Sequence, residues 1–231
     1  MSTLYDGITV SEAAHLQKEL REKVVLQKDP EFTITSVAGV DISFNKYETT
    51  VYAGIIVLSF PLLKPIAYAL VKTEVHFPYV PGYLAFREIP ALLQAWELLP
   101  QKPSVLIADG HGIAHPRRMG IAAHFGVLTG QPSIGCAKKI LFGRYELPAD
   151  EKGAYSFIND KEEIIGAAVR TRQGVKPVFV SPGYKFTCMD SIELIMQCTG
   201  KYRLPEPTRR AHEMVNEFRK GNLQAGYHPL V

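Results

Sequence analysis

Apolar positions along the chain fall into two periods. From Ser11 to Gln27, Ala13, Leu16, Leu20, Val24 and Leu26 recur at mostly helical spacing, with Ser11 as N-cap, which predicts an amphipathic helix. Three strand-like runs follow in close succession, Thr35–Phe44, Thr50–Phe60 and Pro65–Val75. The short turns between them predict an antiparallel meander. Pro78–Gly82 reads as a loop, and Ile89, Leu92, Leu93, Trp96 and Leu99 mark a helix from Leu84 to Leu99, bounded or kinked at Pro90. Val105–Asp109 is a predicted strand, Arg117–Leu128 a helix, Ser133–Ala137 a short strand and Arg144–Lys161 mostly loop. Glu163–Thr171 and Pro177–Val180 read as strands of a hairpin around Gln173-Gly174, and helices follow at Cys188–Cys198 and Thr208–Lys220. The last segment, Gly221–Val231, has no periodicity and is expected to be disordered. No repeat, low-complexity tract or linker interrupts the pattern. Three antiparallel strands followed by alternating helices and strands predict one mixed α/β domain over residues 1–231.

Composition narrows the setting more than the activity. The 231 residues are 46% hydrophobic and 21% charged, ordinary for a soluble globular protein, and the net charge of +3 gives weak support for nucleic-acid binding. Local placement says more: of the adjacent basic pairs Arg117-Arg118, Lys138-Lys139, Arg209-Arg210 and Arg219-Lys220, several flank the segments below, although scattered surface charge is the commoner reason for any one such pair. Three cysteines without metal-type spacing fit reduced thiols. The N-terminus lacks a basic segment followed by a long apolar one, and no run of about 18 apolar residues occurs. The expected setting is the cytoplasm, with no membrane partner and a monomeric protein.

The candidate chemistry lies where apolar runs meet acids. Val105 to Ala108 ends on Asp109, and Gly110, His111, Gly112, His115, Arg117 and Arg118 follow. A carboxylate at the end of a buried strand is costly unless a cation meets it. The glycines open the backbone to a ligand, and arginines suit phosphate. Asp41 stands within another apolar run, where Asp is disfavoured. Val37, Gly39 and Asp41 share one face of that strand; Ala38, Val40 and Ile42 share the other, which is expected to pack on the core. Asp41 is thus either a solvent-facing acid or a partner of Asp109 at a hard cation such as Mg²⁺. Glu88 is either a helix N-terminal acid or a third carboxylate. His212 falls on the edge of the stripe formed by Ala211, Met214, Val215 and Phe218, facing a cleft or merely the rim. Lys138 follows a short strand, where it holds a phosphate, orients a water or is solvated. Between Pro78 and Pro81, Tyr79 sits in a stiff tip suited to stacking on bases, or else covers the core.

Five segments together resemble endonuclease V: Val37–Phe44, Phe77–Glu88, the stretch from Asp109 through His111, His115, Arg117 and Arg118 to Ala123, Gly135–Lys138, and Pro205–His212. They run in order across nearly the whole chain. The resemblance implies a ribonuclease H-like fold, an expectation the meander-then-βαβ order shares, with a mixed central sheet flanked by helices. It implies a need for Mg²⁺, with Mn²⁺ able to substitute. It also implies a DNA repair activity on DNA containing deoxyinosine, and on inosine in RNA as a further partner. The implied cut is at the second phosphodiester bond 3′ of the lesion and leaves 3′-hydroxyl and 5′-phosphate ends. By position, Asp41 and Asp109 would bind the metal, and Glu88, Lys138 and His212 would complete the catalytic set. Pro78, Tyr79 and Pro81 would form a wedge that fills the gap left by a displaced base. Gly82, Leu84, Gly110, His115 and Ile121 would line the pocket for the extruded base, whose removal costs least where pairing is already weak.

Two other classes compete. A junction-cutting nuclease on the same fold has no need of a loop that probes single bases. A module that binds deaminated bases without cutting has no need of the set Asp41, Glu88, Asp109 and His212.

Overall fold

A computed structural model describes residues 4–45 and 48–230. One nine-stranded sheet runs through it. The strands, in chain order, are β1 (Ser36–Phe44), β2 (Thr50–Ser59), β3 (Pro65–Glu74), β4 (Val105–Ala108), β5 (Ser133–Ala137), β6 (Tyr155–Asp160), β7 (Glu163–Val169), β8 (Val178–Tyr184) and β9 (Gly226–Pro229). The helices are α1 (Val10–Arg21), α2 (Leu84–Glu97), α3 (Ile121–Thr129), α4 (Cys188–Gln197) and α5 (Glu206–Arg219). Across the sheet the order is β6-β7-β8-β5-β4-β1-β2-β3-β9. β1–β2–β3 is the expected antiparallel meander, and β1, β4 and β5 are parallel neighbours. β8 then runs antiparallel to both β5 and β7, so parallel pairing is confined to three central strands.

Helices cover both faces. Val37, Val105, Ile107 and Val180 pack against α4 and α5 residues such as Ile195 and Met214. On the other face Ala38, Val40, Leu106 and Ala108 pack against Leu92 and Trp96 of α2 and Phe125 of α3. This explains why β4 is apolar at every position: a strand covered on both sides has no polar face. The Ala38–Val40–Ile42 face of β1 packs on the core as expected, and the opposite face is covered as well. Val37 is fully buried, and Gly39 meets α5 so closely that a Cβ there would lie 1.9 Å from the Pro207 carbonyl oxygen.

Several boundaries move for local reasons. Thr9, not Ser11, caps α1: its hydroxyl accepts from the Glu12 N–H at 3.2 Å, while the Glu12 carboxylate accepts from the Thr9 N–H at 2.7 Å. α1 stops at Arg21, and the Val25 carbonyl accepts from Lys185 N–H at 2.6 Å in an extended connection. α3 begins at Ile121 rather than Arg117, because Arg118 adopts a left-handed φ of 58° that no helix accommodates. β6 lies inside the predicted loop Arg144–Lys161. It is an edge strand in which Ile158 alone is fully buried, so it carries little of the apolar alternation that marks a strand. The segment after Lys220 is not irregular throughout: β9 pairs with β3, and His228 stacks on Tyr68 at 4.6 Å between ring centroids. The cysteines Cys136, Cys188 and Cys198 are free thiols. Among the described residues no helix is long and apolar enough to cross a membrane.

Candidate active site

Register brings the two aspartates together. β1 and β4 are parallel with Val40 opposite Ala108, so the next residues, Asp41 and Asp109, leave adjacent strands on the same face. The Asp109 N–H donates to the Val40 carbonyl at 3.3 Å, extending the pairing by one step. The approach of α5 over Gly39 then carries His212 onto this pair: its Nδ1 lies 2.9 Å from Asp41 Oδ2. Ligand atoms of Asp41, Asp109 and His212 all lie within 4.8 Å of one another. On the far side of the imidazole, His212 Nε2 lies 3.1 Å from Asn216 Nδ2. An ionised Asp41 accepts the Nδ1 proton, which leaves Nε2 to accept from the Asn216 amide.

Lys138 follows β5, itself parallel to β4, and its Nζ donates to Asp109 Oδ2 at 2.5 Å. The Lys138 backbone is clamped from behind: the Arg203 guanidinium donates to the carbonyls of Lys138 and Pro177, both at 2.8 Å, and to that of Lys176 at 2.9 Å. Glu88, in the first turns of α2, lies close enough to the same acids to feel their charge. Burial, and then the charges of Asp41 and Asp109, push its pKa up to about 8. Asp41 is also raised, by burial first and by Asp109 second, with His212 opposing. Three carboxyls share too little positive charge for all to ionise cheaply. The oxygen-rich donor set beside one imidazole suits a hard divalent cation, which would relieve that repulsion.

The second half of the site is the loop from Pro78 to Gly82. Tyr79 is 39% exposed at its tip, and its ring meets that of Phe44, the last residue of β1, at 6.1 Å. Buried Arg87 holds the base of the loop, donating to the Phe77 carbonyl at 2.9 Å and to the Glu48 carbonyl, with its guanidinium 4.8 Å from the Phe44 ring. At the other end Gly82 turns with φ +81°. Its carbonyl oxygen accepts from Arg117 Nη2 at 2.7 Å, His115 Nε2 at 3.0 Å and Gln17 Nε2 at 3.1 Å. His115 Nδ1 accepts from the Arg117 N–H at 3.1 Å, which leaves the ring proton on Nε2. Burial, with Arg117 next, lowers its pKa to about 4, so the ring is neutral.

The other expected pocket residues lie nearby. Leu84 opens α2 and Ile121 opens α3, where the first N–H groups have no intrahelical partner. A Cβ on Gly110 would lie 2.6 Å from Ile121 Cγ2, so these two residues form one wall. The structure thus gathers Asp41, Glu88, Asp109, Lys138 and His212 at one end of the sheet, and Tyr79, Gly82 and His115 beside them. Arg117 and Arg118 are not open phosphate contacts. The Arg117 guanidinium stacks 4.0 Å from the Tyr83 ring, and Arg118 pairs with Asp160 at 2.6 Å and Glu163 at 2.7 Å. Arg209 and Arg210 are held by Glu206 on their own helix. Gln17, Arg87 and Arg203 escape a reading of the sequence because each acts through backbone carbonyls distant along the chain, and Asn216 because its partner, four residues back on α5, is one ring nitrogen of His212. Only Arg87, next to Glu88 in a recognisable segment, carried a signal.

Comparison with known proteins agrees with this geometry. The Endonuclease V family model matches residues 18–213. The Endonuclease V of Myxococcus xanthus is 45% identical over 218 residues, 94% of this chain and 93% of that one. The crystal structure of the Endonuclease V of Streptomyces avermitilis superposes with a TM-score of 0.89 at 40% identity, covering 95% of this chain and 99% of that one. The Endonuclease V of Ciona intestinalis, solved in complex with a 24mer DNA containing an inosine followed by a ribo-adenosine, superposes at 0.80 with 30% identity over 92% and 98% of the two chains. The fold is that of the ribonuclease H-like nucleases, and with the family model spanning most of its length the chain belongs to the endonuclease V family of DNA-hydrolysing enzymes.

Proposed function

We propose that this protein is a single-domain, monomeric DNA repair endonuclease that recognises deoxyinosine in DNA, and inosine in RNA. It hydrolyses the second phosphodiester bond 3′ of the lesion, leaving 3′-hydroxyl and 5′-phosphate ends. The observation that carries this reading is the convergence of Asp41, Asp109 and His212 beside the Tyr79 loop. One part suits phosphodiester hydrolysis and the other suits probing a base. The inosine-containing DNA bound by the Ciona intestinalis relative supports the lesion. Phe44, against which Tyr79 rests, lies three residues along β1 from Asp41, about 10 Å at roughly 3.3 Å per residue. A base probed at Tyr79 therefore lies away from the phosphate at the acids.

Asp41 and Asp109 would hold Mg²⁺, or Mn²⁺ in its place. When bound, that ion supplies activation of the attacking water, orientation of the phosphate and stabilisation of the leaving oxygen. The protein supplies the rest. Lys138 Nζ, 2.5 Å from Asp109, is placed to hold a phosphate oxygen or orient the nucleophilic water. The Glu88 carboxyl, with a pKa near 8, can exchange a proton near neutral pH. His212, held by Asp41 on one side and Asn216 on the other, keeps one ring orientation. The Pro78–Gly82 tip fills the gap in the stack, and the walls at Leu84, Gly110 and Ile121 receive the base.

Parallel cleavage of inosine-containing DNA and RNA, with the cut position mapped in Mg²⁺, tests this. Product one bond beyond the nucleotide 3′ of inosine is expected. Cutting of branched DNA without inosine, or full activity in Asp41→Ala, would overturn it.

A further inference from the structure

Gln17 lies on α1, one residue before the segment that the family model matches, and sequence gives it no chemistry. Yet its side chain is fully buried and every polar atom on it is engaged. Nε2 donates to the Gly82 carbonyl at 3.1 Å and to the Met119 carbonyl at 3.4 Å, while Oε1 accepts from Arg117 Nε. The amide therefore joins α1, the end of the Tyr79 loop and the turn before α3. The Arg117 guanidinium is fixed from both sides: by Gln17 at Nε and by Gly82 at Nη2, with the Tyr83 ring beneath it at 4.0 Å. A second tie comes from the same part of the chain. Tyr5 Oη is hydrogen-bonded to His124 Nε2 of α3 at 2.7 Å, and its ring meets Phe86 of α2 at 4.8 Å. The N-terminal segment thus grips both helices whose first turns flank the base pocket.

We propose that Gln17 is a positioning residue for lesion recognition: by saturating the Gly82 carbonyl and orienting Arg117, it holds the Tyr79 loop in the conformation that probes the base. The inference rests on the proposed role of that loop. The physical argument is one of pre-organisation. A loop with one carbonyl held by three donors reaches its bound shape without ordering at the moment of binding. A half-buried Arg117 left without its Nε acceptor would seek another partner and release the loop.

Gln17→Leu keeps the volume and removes both donors and the acceptor. The expected result is a KM for inosine-containing DNA raised about tenfold with kcat lowered less, and a similar loss in the preference for inosine over adenine. In a Tyr79→Ala background the same substitution should change the preference no further, because both act through one loop. Amide hydrogen exchange at residues 80–86 should speed in Gln17→Leu without any substrate present. Additive effects with Tyr79→Ala, or unchanged exchange, would overturn the proposal and leave Gln17 a packing residue. If the wild-type protein itself does not distinguish inosine from adenine, the functional reading fails, and the exchange measurement still decides whether Gln17 holds the loop. Should Gln17→Leu not fold, Gln17→Glu keeps an acceptor for Arg117 but loses the donor to Gly82, and the same measurements apply.

Discussion

Two neighbouring regions solve opposite electrostatic problems. At the strand ends, Asp41, Glu88 and Asp109 crowd negative charge that Lys138 and His212 only partly answer. Around Gly82 nothing is left over: Gln17, His115 and Arg117 meet one carbonyl, and a neutral histidine replaces a charge. The first region is unfinished without a ligand, whereas the second is complete and gains only rigidity. Catalytic groups must keep binding capacity for a cation and a phosphate. The Gly82 carbonyl keeps none, because a spare buried polar group costs roughly 1–3 kcal/mol and invites other conformations.

The contrast is sharpest in the effect of removing a charge. Asp41→Asn or Asp109→Asn should lower the cleavage rate at least ~10³-fold, since the proposed metal seat and its electrostatic stabilisation would go together. Chelation of divalent ions should do the same to the intact protein. Asp41→Asn should also leave the thermal midpoint unchanged or higher, because it relieves repulsion with Asp109. A variant that is both active and destabilised would remove the distinction between the regions.

Glu88 offers a pH test on the catalytic side. Its folded pKa, about 8, lies above the unfolded value near 4.5. Its contribution to stability is therefore full below about pH 4.5 and is lost as pH rises through 8. In chelator, Glu88→Gln should be more stable than the wild type at pH 8, on the order of 4 kcal/mol, and equal to it at pH 4. Denaturant midpoints at the two pH values check this, and cleavage by the same variant should fall about 10²-fold.

Tyr79→Ala bears on the loop alone. Preference for inosine over adenine should drop about tenfold, the worth of one stacking contact, while Mn²⁺ affinity stays as it was. Weakened metal binding would mean that the two regions are not separable.

The anchor side has the opposite pH slope. His115 and His124 are held near about 4 and about 3 by burial, below the unfolded value of 6.5. Their contribution is full above pH 6.5 and is lost as pH falls toward 4, about 1 kcal/mol each by pH 5.5. Unfolding midpoints of Glu88→Gln between pH 7.5 and 5.5 carry this slope, to which His111, also lowered to about 4 by burial, adds, and a flat profile would show that the rings are not buried neutral.

The two regions were also unequally legible. Asp41 and Asp109 announce themselves because acids interrupt strands, and the order of strands and helices follows from periodicity. The edge strand β6 and the short β9 did not, since pairing, not pattern, makes them strands. Arg117 and Arg118 looked like phosphate ligands because residue type shows charge but not the partner that consumes it. Gln17 looked like nothing, since a glutamine on a helix is ordinary until its amide is buried between two loops.

By itself the chain determined which positions alternate, where apolar runs stop, and which acids, glycines and aromatics stand at those stops. These are local consequences of side-chain period and desolvation cost. Only the tertiary structure decided the rest. The parallel register of β1 and β4 set the two aspartates side by side, and α5 over Gly39 brought His212 to Asp41 across 171 residues. The folding of α1 onto the Gly82 turn made a scaffold of Gln17 and Arg117. Such contacts depend on distances between elements far apart in the chain, which no local pattern encodes.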